Sequence, residues 1–207
     1  HEGAPRRAAD HGGGRAFVSL NPTAFWFLRH GETDWNAEGL SQGHTDIPLN
    51  AVGISQARRA ALALVDRGIA TIIASPLSRA LRTAEIVAEA LSLPVATDAG
   101  LMEVGFGVEE GRPMGDWYDS WIEGSFTPEG AESFQVLHDR AVAAVNRATA
   151  KQGPVLVVAH GALFRALRLA LGHVPNVRTP NALPLWCEPP AAGKVWSITP
   201  SHLPSLG

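Results

Sequence analysis

The sequence predicts an α/β fold with three layers, in which a mostly parallel central sheet carries helices on both faces. Two observations predict this architecture. Short runs that are apolar throughout, of the kind that form strands buried on both faces, recur along the chain. Each run alternates with a longer segment whose apolar residues have helical spacing, as in strands joined by crossover helices. The 207 residues are enough for one domain of this kind.

The first half of the chain supplies two strands and two helices. The run 24–28 (AFWFL) predicts the first strand, and Asn50 stands where an N-cap belongs, ahead of a helix closed by Gly68. The run 69–75 (IATIIAS) predicts the second strand. Pro76 then opens a second helix, whose apolar side chains share one face.

The second half resumes the alternation after an irregular interval. Residues 100–132 are glycine-rich and are predicted to form a lid or a pocket wall. A helix is expected over 133–150, a buried strand over 154–159 (PVLVVA), and a helix over 160–172 that ends at Gly172. Two C-terminal runs, NALPLWCEP and GKVWSITP, predict two further edge strands.

Composition and charge limit the compartment and the classes of partner that are expected for this protein. A net charge of -3 and a pI near 6.2 give no basic footprint for nucleic acid. No run reaches the roughly 18 apolar residues of a membrane span. A single cysteine, Cys187, excludes an intramolecular disulfide and fits a cytoplasmic protein. Residues 1–22 are predicted to be an N-terminal arm or tail, and residues 23–207 the domain.

Cationic and imidazole side chains follow three of the predicted strands. Arg29 and His30 come directly after the first strand, Arg79 lies one turn beyond the second, and His160 follows the third. Ligands of open α/β sheets bind beyond the carboxyl ends of the strands. We therefore expect these four side chains to meet at one edge of the sheet.

Two arginines and two histidines at one edge favour phosphate chemistry. Guanidinium groups match phosphate oxygens in charge and geometry. A neutral imidazole can attack phosphorus through one ring nitrogen, and the resulting phosphohistidine divides a difficult displacement into two steps. A second histidine can stabilise charge on the phosphoryl oxygens. The leaving alkoxide then needs a proton from a carboxylic acid.

The candidate acid is Glu103, in the glycine-rich run LMEVGFG after the predicted strand LPVAT. Burial in a pocket favours the protonated form of a carboxyl group, which suits this role. Glu109 and Glu110 lie in a more polar run and are interpreted as a solvated pair.

Four sequence blocks carry these residues and together resemble the histidine phosphatase superfamily, which has the phosphoglycerate-mutase-like fold. The blocks are RHGET with the WN that follows, SPLSRALRTAE, LMEVGFG and VVAHGALFRAL, in the order of the family. The resemblance implies that His30 is the phosphorylated nucleophile and that Glu103 is the general acid that later activates water. The phosphoryl group would be held by Arg29, Arg79 and His160.

The resemblance also implies a substrate-binding set. Asn36 matches a position whose side-chain amide reaches the phosphate, and the segment at the substrate entrance is matched by Thr33, Gln42 and Gly43. The backbone amide of Ala162, at a helix start, is a further candidate phosphate donor. The family uses no metal for this chemistry, and the sequence has no metal-ligand spacing of His or Cys, so no cofactor is expected for this protein.

The superfamily contains both phosphatases and mutases, and the residues between Glu103 and His160 favour a phosphatase. Mutases that resemble this chain carry a longer insertion there, with a tyrosine, a lysine and a pair of arginines that grip the substrate carboxylate. Here the tyrosine position is Phe106, the lysine position falls near Met114, and the stretch 104–132 contains one arginine. The preferred interpretation is a phosphatase of small phosphate esters, in the phosphatase branch.

Two alternatives remain, namely a mutase and a binding module of the same fold. The binding module is disfavoured because none of the catalytic residues is missing. Four aromatic residues have two possible interpretations. They form the wall of a pocket for a larger leaving group, or they form a hydrophobic cap that packs on itself. They are Phe106, Trp117, Tyr118 and Trp121, with the two tryptophans spaced as on one face of a short helix. The oligomeric state is left open.

Overall fold

The computed structural model describes residues 18–206, which form one mixed sheet with helices on both faces. The strands are β1 Phe25–Arg29, β2 Thr71–Ala74, β3 Val95–Thr97, β4 Val155–Ala159, β5 Leu185–Glu188 and β6 Ser197–Pro200. Their order across the sheet is β3-β2-β4-β1-β5-β6. The first four in this order pair in parallel, and β5 and β6 are antiparallel. The predicted fold class is therefore confirmed.

The helices found within residues 18–206 include two on each face of the sheet. They are α1 Asp34–Glu38, α2 Ala51–Leu64, α3 Ser78–Leu91, α4 Trp117–Glu123, α5 Phe134–Thr149 and α6 Gly161–Ala170. Side chains alternate across β1, so that Phe25 and Phe27 enter the core under α5 and α6. Trp26 and Leu28 enter the second core, under α2 and α3. None of these helices is long and apolar enough to cross a membrane.

Two predicted helix boundaries are wrong. Helix α2 ends at Leu64, and Gly68 takes its left-handed φ of 68° only after an intervening turn. Helix α3 begins at Ser78 and not at Pro76, because Leu77 is still extended. The amide of Ser78 donates to Asp46 Oδ1 at 2.8 Å, so a side chain distant in sequence satisfies one of the first free N–H groups of α3.

The expectation of two C-terminal edge strands is correct for β6 only. Strand β5 lies inside the sheet between β1 and β6. Its Trp186 stands opposite Trp26 of β1, and the two ring centroids are 5.0 Å apart. This cross-strand aromatic contact holds β5 against the middle of the sheet.

The predicted arm is described only from residue 18 onward. Asn146 of α5 donates to the carbonyl oxygen of Ser19 and accepts from the amide of Asn21, and Leu20 packs on the core. Residues 1–17 lie outside the described residues, so the boundary between arm and domain stays a prediction.

The loop after β1 lies in backbone contact with the first turn of α2. Asn50 caps the helix by accepting from the amide of Gly53 at 2.9 Å, and its own amide donates to the carbonyl oxygen of Glu32 at 3.0 Å. A methyl group on Gly53 would overlap the carbonyl oxygen of Glu32, and one on Gly31 would overlap the carbonyl oxygen of Gly53. Glycine at both positions therefore allows α2 to support the residue that follows His30.

Replacing Gly53 with Ala should destabilise the fold, although alanine is the better helix former. Because the added methyl group meets backbone and not a flexible side chain, we expect a loss of about 1–3 kcal/mol in the free energy of unfolding. Denaturant titration measures this change, and Ser55→Ala on the same helix is the matched control. A Gly53→Ala variant about 1 kcal/mol more stable than the parent, as helix propensity alone requires, would contradict the argument.

Candidate functional site

A cavity of about 400 Å³ lies at the carboxyl ends of the parallel strands. Eight of the predicted site residues line it, and they are Arg29, His30, Asn36, Gln42, Gly43, Arg79, Glu103 and Ala162. His160 lies directly behind this wall, with its ring centroid 5.3 Å from that of His30. Thr33 does not reach the cavity. The structure thus brings the predicted histidines, arginines and glutamate to one place.

The imidazole of His30 is held in a single tautomer. Its Nδ1 donates to the carbonyl oxygen of Gly31 at 2.6 Å, which leaves Nε2 unprotonated. The ring is only 1% exposed, and this burial, reinforced by the positive charges of Arg29 and Arg79, lowers the pKa of His30 well below its usual value. His30 is therefore neutral near pH 7, with a free lone pair on Nε2.

His160 is held in the same tautomer, with its proton on Nδ1, by a residue that the sequence did not reveal. Its Nε2 lies 2.7 Å from the hydroxyl oxygen of Ser75, which also accepts from the amide of Leu77. Among the described residues, His160 Nε2 is the only acceptor within reach of the Ser75 hydroxyl proton. Ser75 therefore donates to Nε2, and the ring proton lies on Nδ1, which is buried without a partner in the described chain. Burial, then Arg79 and His30, lowers the pKa of His160 well below its usual value.

The two predicted arginines are fixed by backbone carbonyls. Arg79 donates from Nη2 to Gly43 O at 2.7 Å and from Nη1 to Thr45 O at 2.9 Å. Arg29 donates from Nη1 to Thr179 O at 2.7 Å. The Nε atom of each is buried and has no partner within residues 18–206. Because an unpaired buried N–H is costly, these two donors together with His160 Nδ1 are typical of a site that binds an anion.

Burial also acts on the charge of these arginines. Burial lowers the pKa of Arg29 to about 10. The negative charge of Glu103 opposes this shift, whereas the positive charges of Arg178 and Arg165 reinforce it. Burial likewise lowers the pKa of Arg79, and Glu103 opposes the shift. Both guanidinium groups remain protonated near pH 7.

Glu103 is 8% exposed and accepts hydrogen bonds from three backbone amides. Its Oε1 accepts from Val104 and Leu163, whereas its Oε2 accepts only from Ala162, at 3.0 Å. The Ala162 amide, predicted as a phosphate donor, thus donates to Glu103 in this structure, and its contact with phosphate stays a prediction. Oε2 therefore keeps one lone pair that no hydrogen bond within the described chain uses.

The loop that carries Glu103 is tied to α5 by Arg140. The guanidinium of Arg140 donates to the carbonyl oxygens of Gly100, Met102 and Glu103 and forms a bidentate ion pair with Glu132. Glu132 in turn accepts from the amide of Gly105. Both sides of Glu103 are therefore held, which fixes the direction of its carboxyl group.

Thr33 has a different role from the one expected, because it is fully buried and does not line the cavity. Its hydroxyl oxygen accepts from the amide of Asn36 and donates to Gln42 Oε1 at 2.5 Å, while Asn36 Oδ1 accepts from the amide of Thr33. The amide oxygens of Asn36 and Gln42 therefore both accept a hydrogen bond from Thr33. The –NH₂ groups of Asn36 and Gln42 remain for the cavity, where they can donate to phosphate oxygens.

Glu110 also departs from its interpretation as a solvated carboxylate. Its Oε1 accepts from the amide and the hydroxyl of Thr45, and its Oε2 accepts from the amide of Phe106. Glu110 thus joins the segment that carries Phe106 to the loop whose carbonyl oxygens bind Arg79. Glu109 is half-buried and lies 3.8 Å from the exposed side chain of Arg112, so this ion pair contributes little to stability.

The four aromatic residues satisfy both interpretations that the sequence allowed. Phe106 contacts Trp117, Tyr118 and Trp121, with ring centroids 5.7, 6.4 and 5.7 Å away, so the group packs on itself. Trp121 is fully buried and donates its indole N–H to Glu132 O. Only Phe106 and Tyr118 of the four also line the cavity. The cap therefore presents two rings to a ligand.

The stretch 104–132 contains one arginine, but the cavity has further positive charge from elsewhere in the chain. Arg165 and Arg178 line it, although both lie outside the stretch 104–132. A signal for Arg165 exists in the sequence, since it stands one helical turn after Gly161 and so shares its face of α6. Arg178 lies in an irregular segment between α6 and β5, where no local pattern indicates its direction.

No three His, Cys, Asp or Glu side chains within residues 18–206 are grouped so that they could hold a metal ion. The positive charge around the cavity comes from arginine. Fold and site together define a class of α/β protein in which neutral histidines and buried arginines meet at one sheet edge for phosphate chemistry. The family model of the Histidine phosphatase superfamily (branch 1) matches residues 25–183, and the chain belongs to that superfamily.

Relatives within the superfamily carry both phosphatase and mutase names. The chain is 41% identical over 148 residues to the uncharacterized phosphatase PhoE of Bacillus subtilis, covering 70% of this chain and 75% of the relative. It is 38% identical over 175 residues to the probable phosphoglycerate mutase GpmB of Escherichia coli, covering 79% and 77%. A mycobacterial glucosyl-3-phosphoglycerate phosphatase, solved with VO3, is similar in structure with a TM-score of 0.72 at 28% identity, covering 85% of this chain and 97% of that one.

The two buried histidines should make the fold sensitive to acid. Both have a pKa below the usual value when folded, so near pH 6 the unfolded chain binds protons that the folded chain does not. Lowering the pH therefore favours unfolding. Each histidine should contribute a loss of about 1.4 kcal/mol per pH unit below pH 6.5.

Denaturant titrations between pH 7 and pH 5 measure this slope. A His30→Asn variant, which keeps His160, should lose stability less steeply by about 1.4 kcal/mol per pH unit. The same slope in the variant and the parent would show that the His30 ring is not held neutral by the fold.

Proposed function

We propose that this protein is a metal-independent phosphatase that hydrolyses small-molecule phosphate esters through a phosphorylated His30. One observation carries the proposal, namely the hydrogen bond from His30 Nδ1 to Gly31 O, which leaves Nε2 unprotonated at a cavity lined with guanidinium groups. The low pKa of His30 supports it, because the ring is a nucleophile only when neutral.

In the first step, His30 Nε2 attacks phosphorus and the bond from phosphorus to the ester oxygen breaks. The unpaired N–H groups of Arg29, Arg79 and His160 stabilise the phosphoryl oxygens while charge moves between them. Glu103 Oε2 gives its proton to the departing alkoxide, which leaves as an alcohol. The products of this step are phospho-His30 and the Glu103 carboxylate.

In the second step, water replaces the alcohol. Glu103 accepts a proton from water as the water oxygen bonds to phosphorus and the bond from phosphorus to His30 Nε2 breaks. Inorganic phosphate leaves, and both side chains return to their starting states. The same carboxyl oxygen acts twice, which requires the fixed orientation that the amides of α6 and Arg140 give to Glu103.

Phosphoryl transfer of the mutase type is the second candidate. Its support is the similarity to GpmB and the presence of Arg165 and Arg178, which could retain an anionic intermediate for return of the phosphoryl group. An assay with 3-phosphoglycerate distinguishes the two functions. A phosphatase releases inorganic phosphate, whereas a mutase forms 2-phosphoglycerate after priming with the bisphosphate.

Three accompanying proposals come from the sequence. The protein acts in the cytoplasm, it requires no nucleic acid or membrane partner, and it needs no metal because guanidinium and imidazole donors supply the positive charge. Turnover should accordingly persist in excess EDTA. The third candidate, a binding module of this fold, predicts no phosphate release from any monoester and no acid-labile phosphohistidine between pH 5 and pH 8.

Replacing His30 with Ala should abolish turnover, because it removes the Nε2 atom on which the covalent intermediate forms. Initial rates with a panel of monoesters measure turnover, and acid quenching with a radiolabelled ester measures the phosphohistidine. His202→Ala, at an exposed position, is the control for loss of a histidine. Persistent labelling of the His30→Ala variant would assign the nucleophile elsewhere.

Replacing Glu103 with Gln should slow esters with poor leaving groups far more than activated esters. Alkyl alcohols need a proton as they leave, whereas 4-nitrophenol does not, so we expect losses of about 100-fold or more for a sugar phosphate and about 10-fold or less for 4-nitrophenyl phosphate. The rate of phosphohistidine formation is the quantity to compare, since Glu103 also assists hydrolysis of the intermediate. Equal losses for the two esters would remove Glu103 from the role of acid.

A further inference from the structure

The segment 178–182, between α6 and β5, is bound to the end of β1. The amide of Ala182 donates to Arg29 O at 2.9 Å, and Arg29 Nη1 donates to Thr179 O at 2.7 Å. Thr179 and Ala182 are only 4% and 1% exposed. The segment therefore has a fixed position beside the end of β1, and Asn181 lies between its two anchored residues.

The side-chain amide of Asn181 contacts two residues that line the cavity. Its Nδ2 donates to His30 O at 3.0 Å and to Asn36 Oδ1 at 3.4 Å. A backbone carbonyl can only accept, so the –NH₂ group of Asn181 must face His30. Asn36 Oδ1 also accepts from the amide of Thr33 at 3.1 Å, and a backbone N–H can only donate. The orientation of both side-chain amides is therefore fixed by backbone groups.

The first contact holds the peptide group that joins His30 to Gly31. Its carbonyl oxygen accepts from Asn181, and its N–H donates to Thr83 Oγ1 at 3.1 Å. Thr83 is fully buried, and its hydroxyl donates to the carbonyl oxygen of Arg79 at 2.7 Å. Gly31 O, which accepts from His30 Nδ1, follows directly on this peptide group. Rotation of the peptide group would move that acceptor, so Asn181 helps to hold the His30 ring in place.

The second contact favours one orientation of the Asn36 amide. The oxygen and nitrogen of a side-chain amide are similar in size, so a half-turn of Asn36 meets little steric resistance. A phosphate oxygen needs a donor, and a turned Asn36 would present its carbonyl oxygen instead. The turned amide would also lose both hydrogen bonds that Oδ1 accepts, one from Thr33 and one from Asn181. Asn181 therefore favours the orientation that leaves the –NH₂ group for phosphate.

We propose that Asn181 is a positioning residue for phosphoryl transfer, which holds the His30 peptide group and turns the donor side of Asn36 toward the phosphate. This inference rests on the proposed phosphatase function and adds one residue to its site. Asn181 is half-buried and does not itself line the cavity, so it acts through His30 and Asn36.

A double-mutant cycle tests this role. Asn181→Ala should lower kcat/KM for a phosphate monoester by about 10-fold or more, because two donated hydrogen bonds are lost. In an Asn36→Ala background the same change should cost at least about 3-fold less, since one of its two partners is already gone. Asn146→Ala removes an amide that also donates to a backbone carbonyl at 3.0 Å, and it should change kcat/KM by less than about 2-fold. Equal losses from Asn181→Ala in the two backgrounds would overturn the proposal.

Asn181→Asp separates the donated hydrogen bonds from the shape of the side chain. The carboxylate has nearly the same shape as the amide but has no donor, so we expect a loss of about 10-fold or more in kcat/KM. Because the volume of the side chain is kept, this variant keeps the test valid if Asn181→Ala fails to fold. Activity close to that of the parent would show that the shape alone is needed, which contradicts the proposal.

Binding of inorganic phosphate separates a failure of this inference from a failure of the proposed function. If the parent hydrolyses no monoester, the phosphatase proposal fails, and calorimetry with phosphate still decides the role of Asn181. Asn181→Ala should weaken phosphate binding by about 3-fold or more in the parent and by less than about 2-fold in the Asn36→Ala background. Equal affinities of the parent and Asn181→Ala would contradict the role in orienting Asn36, whatever the activity. A parent that binds no phosphate would overturn both proposals.

Discussion

The parallel pairing of β1 with β4 is the constraint on which the site depends. Arg29 stands opposite Ala159 in this pairing, and the amide of His30 donates to the carbonyl oxygen of Ala159 at 3.0 Å. A slip of one residue would move Phe25 and Phe27 into the opposite core, so the hydrophobic pattern of the strand enforces the register. The same register ends both strands together, and His30 and His160 meet for that reason.

Burial at this edge then determines the chemistry. Water would stabilise protonated imidazoles, but the cores on either side of the sheet exclude it, and the guanidinium groups nearby add repulsion. The rings therefore stay neutral, and the tautomer of each is set by its one neighbour, Gly31 O for His30 and the Ser75 hydroxyl for His160. Both rings carry the proton on Nδ1, but His30 uses it on Gly31 O and keeps a free lone pair on Nε2, whereas His160 uses Nε2 and keeps a free N–H on Nδ1 within the described chain.

Much of this architecture could be predicted because its signals are local. Apolar runs located the strands, Asn50 located a helix start, and the positions of Arg29, His30 and His160 followed from the ends of strands. The errors concern contacts between residues distant in sequence. Ser78 finds Asp46 across the fold, Ser75 finds His160, and neither partner is marked by periodicity.

Charged residues outside regular patterns were the hardest to predict. Glu110 resembled a solvated carboxylate because its neighbours are polar, yet it accepts three hydrogen bonds from Thr45 and Phe106. Counting cations only in the stretch 104–132 missed Arg165 and Arg178, since part of the cavity wall is formed by α6 and by the irregular segment that follows it. The arginines on the cavity wall therefore lie outside residues 104–132.

Helix α6 contacts Glu103 and also forms part of the cavity wall. Its first turn donates the amides of Ala162 and Leu163 to Glu103, and Gly161 lies so close to the guanidinium of Arg29 that a larger residue would displace it. One turn further on, the same helix presents Arg165. Because a helix is stiff, the distance between the carboxyl group at Glu103 and the cation at Arg165 is fixed by the backbone.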